Sequence, residues 1–204
     1  MAPATSSNST MHTKIGITGG IGSGKSYICN CLKELGYPVY NCDDEAKRLM
    51  VEDATIIAGI KNLVGDNAYL DGTLNKKAIA DFLFRNADNA KAINGIVHPV
   101  VKQDFAKWAG MQEARYVFME CAILFESGFQ DAVDTTVLIY APAEIRLHRA
   151  MMRDNASAEQ IKARMNHQIS DEEALSLANY VFDHTEYETT TSEINKLIKY
   201  LEQC

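Results

Sequence analysis

The chain has 204 residues, a formal net charge of −7, and 47% hydrophobic against 23% charged residues. That is the make-up of a single globular domain with a real core, and the acidic balance argues against a general nucleic-acid binder, which carries a basic surplus. No segment is long and apolar enough to span a membrane, so neither nucleic acid nor membrane is expected as a partner.

The opening residues MAPATSSNST are small and polar, without the basic start and apolar stretch of a secretory signal. Residues 1–12 read as a disordered leader or tag remnant, and residues 13–204 as a single domain. Lys14–Thr18 predicts a short strand, Gly19–Gly24 a glycine-rich turn, and Lys25–Leu35 a helix with Ile28, Leu32 and Leu35 at helical spacing. Gly36 is a natural stop, and Pro38–Asn41 a second strand, so the chain opens as a parallel α/β unit. Asp43–Met50 predicts a helix. Residues 54–64 and 75–84 are two amphipathic helices separated by the turn signal Asp71-Gly72. Residues 87–109 form a longer helical region with an apolar stripe of Ile93, Val97, Val100, Val101, Phe105 and Trp108. Pro99 interrupts it and puts His98 at a kink or a helix junction. Residues 115–120 and 135–140 are apolar enough for buried strands. Residues 143–153 and 157–178 predict charged helices, 180–183 a last strand and 190–203 a closing helix. The five cysteines, Cys29, Cys31, Cys42, Cys121 and Cys204, fit no zinc spacing and point to a reduced, cytoplasmic setting.

The strongest motif is Gly19-Gly20-Ile21-Gly22-Ser23-Gly24-Lys25-Ser26, which satisfies G-x-x-x-x-G-K-[ST]. Glycines let backbone N–H groups turn inward around phosphate oxygens. Lys25 is placed to reach the β- and γ-phosphates, the Ser26 hydroxyl to bind Mg²⁺, and the following helix to direct its positive end at the anion. Strand before and helix after are the context this mechanism needs. The motif fixes nucleotide binding without separating kinases from GTPases or ATPases.

A phosphoryl-transfer enzyme also needs a base, an acid for the metal, and cations for the moving charge. Asp43 and Asp44 follow the second strand, at the carboxyl edge of the sheet. They read as a base for an acceptor hydroxyl or as a helix N-cap. Glu120 ends the strand Tyr116–Met119 and suits a Mg²⁺-linked water, with Glu126 as the other candidate. Arg146, Arg149 and Arg153 share a helix face, with Arg164 on the next helix; they form either a lid carrying cations onto the γ-phosphate or a solvated face. His98 alone reads as structural.

Together these pieces resemble the dephospho-CoA kinase family from about Lys14 to Leu201. The stretch from Ile17 to Ser26 is similar to that family's T-G-G-I-G-S-G-K-S start. Its D-A-D appears as Asn41-Cys42-Asp43, placing Asp43 on the catalytic aspartate. Asp71-Gly72-Thr73-Leu74 and His98-Pro99 match. Its D-x-P-L-L-F-E appears as Glu120-Cys121-Ala122-Ile123-Leu124-Phe125-Glu126. Its R-x-x-R-D and later glutamine appear as Arg149, Arg153-Asp154 and Gln168, and its A-D-Y-V-I-D-N as Ala178–His184, with His184 for Asn.

The resemblance implies a P-loop NTPase fold: a parallel five-stranded sheet flanked by helices, with core segments 13–52, 111–145 and 178–204. A helical acceptor-binding insert would span about 53–110 and a lid about 146–177. It implies ATP and dephospho-CoA as substrates, Mg²⁺ as cofactor, and transfer to the ribose 3′-hydroxyl in the last step of coenzyme A biosynthesis, by a monomer or small homo-oligomer. Catalysis would rest on Asp43, Lys25 and Arg149. ATP would lie on Gly20, Ile21, Gly22, Ser23, Gly24, Lys25, Ser26, Tyr27, Arg149, Arg153 and His184. The acceptor would lie on Asp43, His98 and Lys76, and the metal on Ser26, with Glu120 through water. The rivals are another P-loop nucleoside or metabolite kinase and a nucleotide-dependent switch. A GTPase switch would carry N-K-x-D, and Asn75-Lys76-Lys77-Ala78 lacks the aspartate.

Overall fold

The computed structural model describes residues 12–86 and 88–203. The expected leader therefore lies outside the described residues except for His12, whose Nδ1 is 2.7 Å from the Ala114 carbonyl oxygen. Five strands, β1 (Thr13–Thr18), β2 (Val39–Asn41), β5 (Tyr116–Glu120), β6 (Thr135–Tyr140) and β7 (Tyr180–Asp183), form one sheet in the order β2-β5-β1-β6-β7. Every pairing in it is parallel.

A parallel sheet is covered on both faces, so the middles of its central strands are apolar runs, Ile15–Ile17, Tyr116–Met119 and Val137–Ile139. In β5 all five residues are buried, and alternate ones serve different cores. Val117 and Met119 face α2 (Cys42–Glu52), α3 (Ala54–Val64) and α5 (Asp88–Gly110) through Leu49, Ile56, Ile60, Val101 and Phe105. Tyr116 and Phe118 face the other way, against α1 (Lys25–Glu34) and α9 (Thr190–Gln203), through Ile28, Leu32, Leu197 and Leu201. Each fully buried side chain of this size contributes roughly 1.5–3 kcal/mol, and a polar residue along Tyr116–Met119 would have no wet face to turn to. Cys29, Cys31, Cys42 and Cys121 are free thiols. Cys204 lies outside the described residues.

Three expectations change. Helix α5 runs through Pro99 without a junction. Pro99 and Gly95, whose carbonyl loses its donor, are both exposed, where solvent can take the place of the lost donor. Residues 157–178 form two helices, α7 (Ala158–Met165) and α8 (Asp171–Leu177). Ser157 closes a capping box with Gln160, and Ser170 caps α8 by accepting from the Glu173 N–H. Between them, the Ile169 N–H donates to Glu126 Oε1 at 3.3 Å, which turns the backbone out of any continuous helix. Finally, the turn at Asp71-Gly72 joins two short antiparallel strands, β3 (Tyr69–Leu70) and β4 (Thr73–Leu74). Both turn residues have positive φ, 50° and 75°, the requirement of a two-residue hairpin loop. Helix α4 (Lys76–Arg85) follows, and α6 (Ala143–Asp154) completes the set.

Candidate active site

The end of β1 delivers the glycine-rich loop to the carboxyl edge of the sheet, where α1 begins. Gly24 holds the N-cap position of α1 with φ 93° and offers no side-chain cap. The first-turn N–H groups are therefore left for an anion. Two glycines are fixed by close approach as well as by conformation. A Cβ on Gly22 (φ 79°) would run into the Arg146 carbonyl, and one on Gly24 into the His184 imidazole. The loop lines a cavity of about 500 Å³ together with Tyr27, Asp43, Arg149, Arg153, Arg164 and Gln168.

Glu120 is the hub beneath it. Its Oε1 accepts from the Ser26 hydroxyl at 2.6 Å and pairs with Lys25 Nζ at 3.0 Å, and its Oε2 accepts from Asn41 Nδ2 at 2.9 Å. Register explains the convergence: Asn41 stands opposite Glu120 across β2 and β5, and Glu120 opposite Ile17 across β5 and β1. The carboxylate is 4% exposed. Burial pushes its carboxyl up. The Lys25 ammonium and the hydrogen bonds from Ser26, Lys25 and Asn41 outweigh that and hold it below the ordinary glutamate value. Glu126, the other metal candidate, is turned toward Ile169 instead.

Asp43 sits in the first turn of α2 and lines the same cavity. The N-cap alternative falls: Asn41 caps this helix, its Oδ1 accepting from the Asp44 N–H at 3.0 Å. Asp44 pairs with Lys47. The Asp43 carboxylate accepts no hydrogen bond among the described residues, so it is exposed at the cavity and unspent.

The arginines divide. Arg146 is buried, donating through Nε to the Ala141 carbonyl at 2.9 Å and through Nη2 to Asp171 at 2.6 Å. It is thus neither a lid cation nor a solvated residue, because the start of α8 folds over it. Arg146→Ala is expected to cost roughly 1–3 kcal/mol, the usual penalty for stripping partners from buried polar groups. That would be read as a lower urea midpoint at unchanged m value; an unmoved midpoint would remove its role as a pin. Arg149 donates to the His184 and Thr185 carbonyls at 2.8 and 2.9 Å and lies 4.5 Å from the Tyr187 ring centroid. Two of its five N–H donors are thereby used. Arg153 and Arg164 are more exposed and share the Asp154 carboxylate, at 2.7 Å each. Gln168 reaches from beyond α7 to accept from the Ile21 N–H at 2.8 Å.

His184 is fully buried. Its ring stacks on Tyr27 at 5.6 Å and meets Tyr187 edge-on at 4.9 Å. His98 is half-buried on α5, edge-on to Phe129 at 5.2 Å, and lines a separate cleft with Lys91, Asn94, Lys102 and Glu126. Burial, then the Lys102 ammonium, lower its pKa. Lys76 is exposed at the start of α4 and lines neither cleft. The structure thus brings together the loop residues, Lys25, Ser26, Tyr27, Asp43, Glu120, Arg149, Arg153 and His184. It leaves His98 on a neighbouring surface and Lys76 outside. Sequence reasoning missed Asn41, Asp154 and Asp171 as partners. An Asn directly before a helical run is a cap signal and pointed to the first of them, but the other two depend on folding distance.

A dephospho-CoA kinase family model matches residues 13–189. A dephospho-CoA kinase of Bacteroides fragilis is 44% identical over 194 residues, covering 95% of each chain. One from Porphyromonas gingivalis is 43% identical over 84% of this chain and 83% of its own. Among solved structures, a dephospho-CoA kinase from Campylobacter jejuni superposes with TM-score 0.70 at 26% identity over 95% of this chain and 98% of that one. A shikimate kinase from Bacteroides thetaiotaomicron, at TM-score 0.56 and 12% identity over 93% and 98% of the two chains, shares the fold.

Proposed function

The chain belongs to the dephospho-CoA kinase family, and from that membership we propose that it transfers the γ-phosphoryl group of ATP to the ribose 3′-hydroxyl of dephospho-CoA, the last step of coenzyme A biosynthesis. The observation that carries the reading is the convergence of the Lys25 ammonium and Ser26 hydroxyl on one buried carboxylate, with the unspent Asp43 carboxylate on the same cavity.

In this mechanism the loop's N–H groups and Lys25 hold the triphosphate. Asp43 orients the acceptor hydroxyl and takes its proton as a new P–O bond forms to the 3′-oxygen. The bond from the γ-phosphorus to the β–γ bridging oxygen breaks, and ADP leaves with that electron pair. Arg149, with three donors free, and Arg153 neutralise the charge spread over the transferred group. Tyr27 forms the wall on the nucleotide side, with the buried His184 ring stacked behind it. His98, and Lys76 after closure, hold the distal part of the acceptor. The core would be 13–52, 111–145 and 178–204, with the insert 53–110 for the acceptor and 146–177 as a lid excluding water.

Among the described residues no group of three His, Cys, Asp or Glu side chains surrounds a common point. A hydroxyl beside a carboxylate, next to a phosphate cradle, fits Mg²⁺, which is held largely by substrate phosphates and keeps several waters. Ser26 would contact it directly and Glu120 through water. Bound there, it would supply positive charge to neutralise the triphosphate. No helix among the described residues is long and apolar enough to cross a membrane. Four free thiols favour a reducing cytoplasmic setting for the enzyme.

The test is ADP release from ATP with and without dephospho-CoA, the product weighed for one added phosphate and located by fragmentation. Acceptor-dependent ADP with phosphate on the 3′-position is the expected result. Equal ADP without acceptor, or phosphate elsewhere on the product, would overturn the reading.

A further inference from the structure

We propose that His184 is a positioning residue for the nucleotide loop: its imidazole donates through Nδ1–H to the Ser23 carbonyl and so aims the Gly24 N–H at the phosphate. The inference rests on the nucleotide-binding reading above and adds a residue outside the motif to it.

His184 Nδ1 lies 2.7 Å from the Ser23 carbonyl oxygen. A carbonyl only accepts, so the proton is on Nδ1. Nε2, buried and without a partner, then carries the lone pair. Burial, reinforced by the Arg149 guanidinium, lowers the His184 pKa against the opposing pull of the Ser23 contact and Asp183, which favours this neutral form.

A trans peptide points its C=O and N–H in opposite directions. Ser23 stands between Gly22 and Gly24, both with positive φ, and these flanking glycines leave the peptide joining Ser23 to Gly24 free to rotate. Fixing the Ser23 carbonyl on His184 selects one orientation. It sends the Gly24 N–H away from the ring. That N–H makes no hydrogen bond among the described residues, and Ser23 and Gly24 both line the cavity.

The support is itself held. The His184 N–H donates to the Tyr140 carbonyl at 2.8 Å, tying it to β6. Arg149 donates to its carbonyl oxygen, and Tyr27 and Tyr187 pack against its ring. A side chain so fixed can hold a peptide rotor in register, which a motif of glycines cannot do for itself.

The experiment compares His184→Phe, which keeps the stacking ring without the donor, with His184→Asn, which restores a side-chain N–H donor without the ring. Affinity for a non-hydrolysable ATP analogue with Mg²⁺ is measured by calorimetry without acceptor, so it stands whatever the acceptor proves to be. His184→Phe is expected to bind about tenfold more weakly, the worth of one lost hydrogen bond, and to raise the KM for ATP while leaving that for dephospho-CoA unchanged. His184→Asn is expected to recover most of this. Wild-type affinity in His184→Phe, or a loss in it that His184→Asn does not recover, would overturn the assignment. If neither variant folds, ¹⁵N spectra of the wild-type imidazole decide: an Nδ1–H tautomer supports the proposal, and an Nε2–H tautomer or an imidazolium at neutral pH overturns it.

Discussion

Asp43→Asn is expected to lower kcat at least a hundredfold while ATP affinity stays within about twofold of wild type. A positioned general base contributes roughly 10²–10⁴ in rate, and Asn keeps the shape and the dipole but cannot take the proton. The geometry makes the test clean. Asn41, not Asp43, caps α2. Asp44 and Glu45 still place negative charge in its first turn, so the helix loses only the few tenths of a kcal/mol that one such charge contributes. Glu120 and its three donors do not involve Asp43, so the metal side is left standing. Steady-state turnover, with calorimetry of the ATP analogue, checks it; near wild-type kcat with binding intact would remove Asp43 from the base role.

Lys25→Met is expected to lower kcat by about a thousandfold, at the upper end for removing one preorganised charge from a developing phosphoryl transition state, and also to destabilise the fold. The second effect follows from burial. The Lys25 and Glu120 side chains are 13% and 5% exposed, and removing one partner of such a pair costs roughly 3 kcal/mol by leaving the other charge uncompensated. In the wild type the Glu120 carboxyl titrates below its unfolded value. Its contribution is therefore fully present above the ordinary glutamate range and is lost as pH falls through the depressed folded value. In the variant, burial acts unopposed by the ammonium and raises that carboxyl. The gap in urea midpoint between the two proteins is thus expected to be widest near neutral pH and to narrow on acidification. A gap of constant width would show that Lys25 stabilises by packing alone.

The elements that set the site were largely legible in the sequence because they obey local rules. Strand β1, its glycine turn and α1 follow from an apolar run, a phosphate motif and helical spacing. The segments 54–64, 135–140, 180–183 and 190–203 have their observed boundaries. What escaped depends on distance. Asp171 cannot be paired with Arg146 by spacing, since they lie on α8 and α6 and meet only when the intervening segment folds back. The break between α7 and α8 was hidden for the same reason, because residues beyond α7 are drawn to Ile21 and Glu126. Of the two readings of Pro99, the junction fails because one helix runs from Asp88 to Gly110, with Gly95 exposed where the proline removes a donor.

The order β2-β5-β1-β6-β7 also sets a timetable. Strand β1 is central, yet Ile15 pairs with Phe118 on one side and Thr135 on the other. On a ribosome adding about 5–20 residues per second, the first strand waits roughly 5–20 s for a neighbour. Contacts between segments this far apart slow folding, since the loop must close before any pairing rewards it. The phosphate loop is thus among the first segments synthesised and among the last to become competent. A nascent chain released before Tyr116 would carry the whole glycine motif with no neighbouring strand for β1, exposing an apolar strand to aggregation.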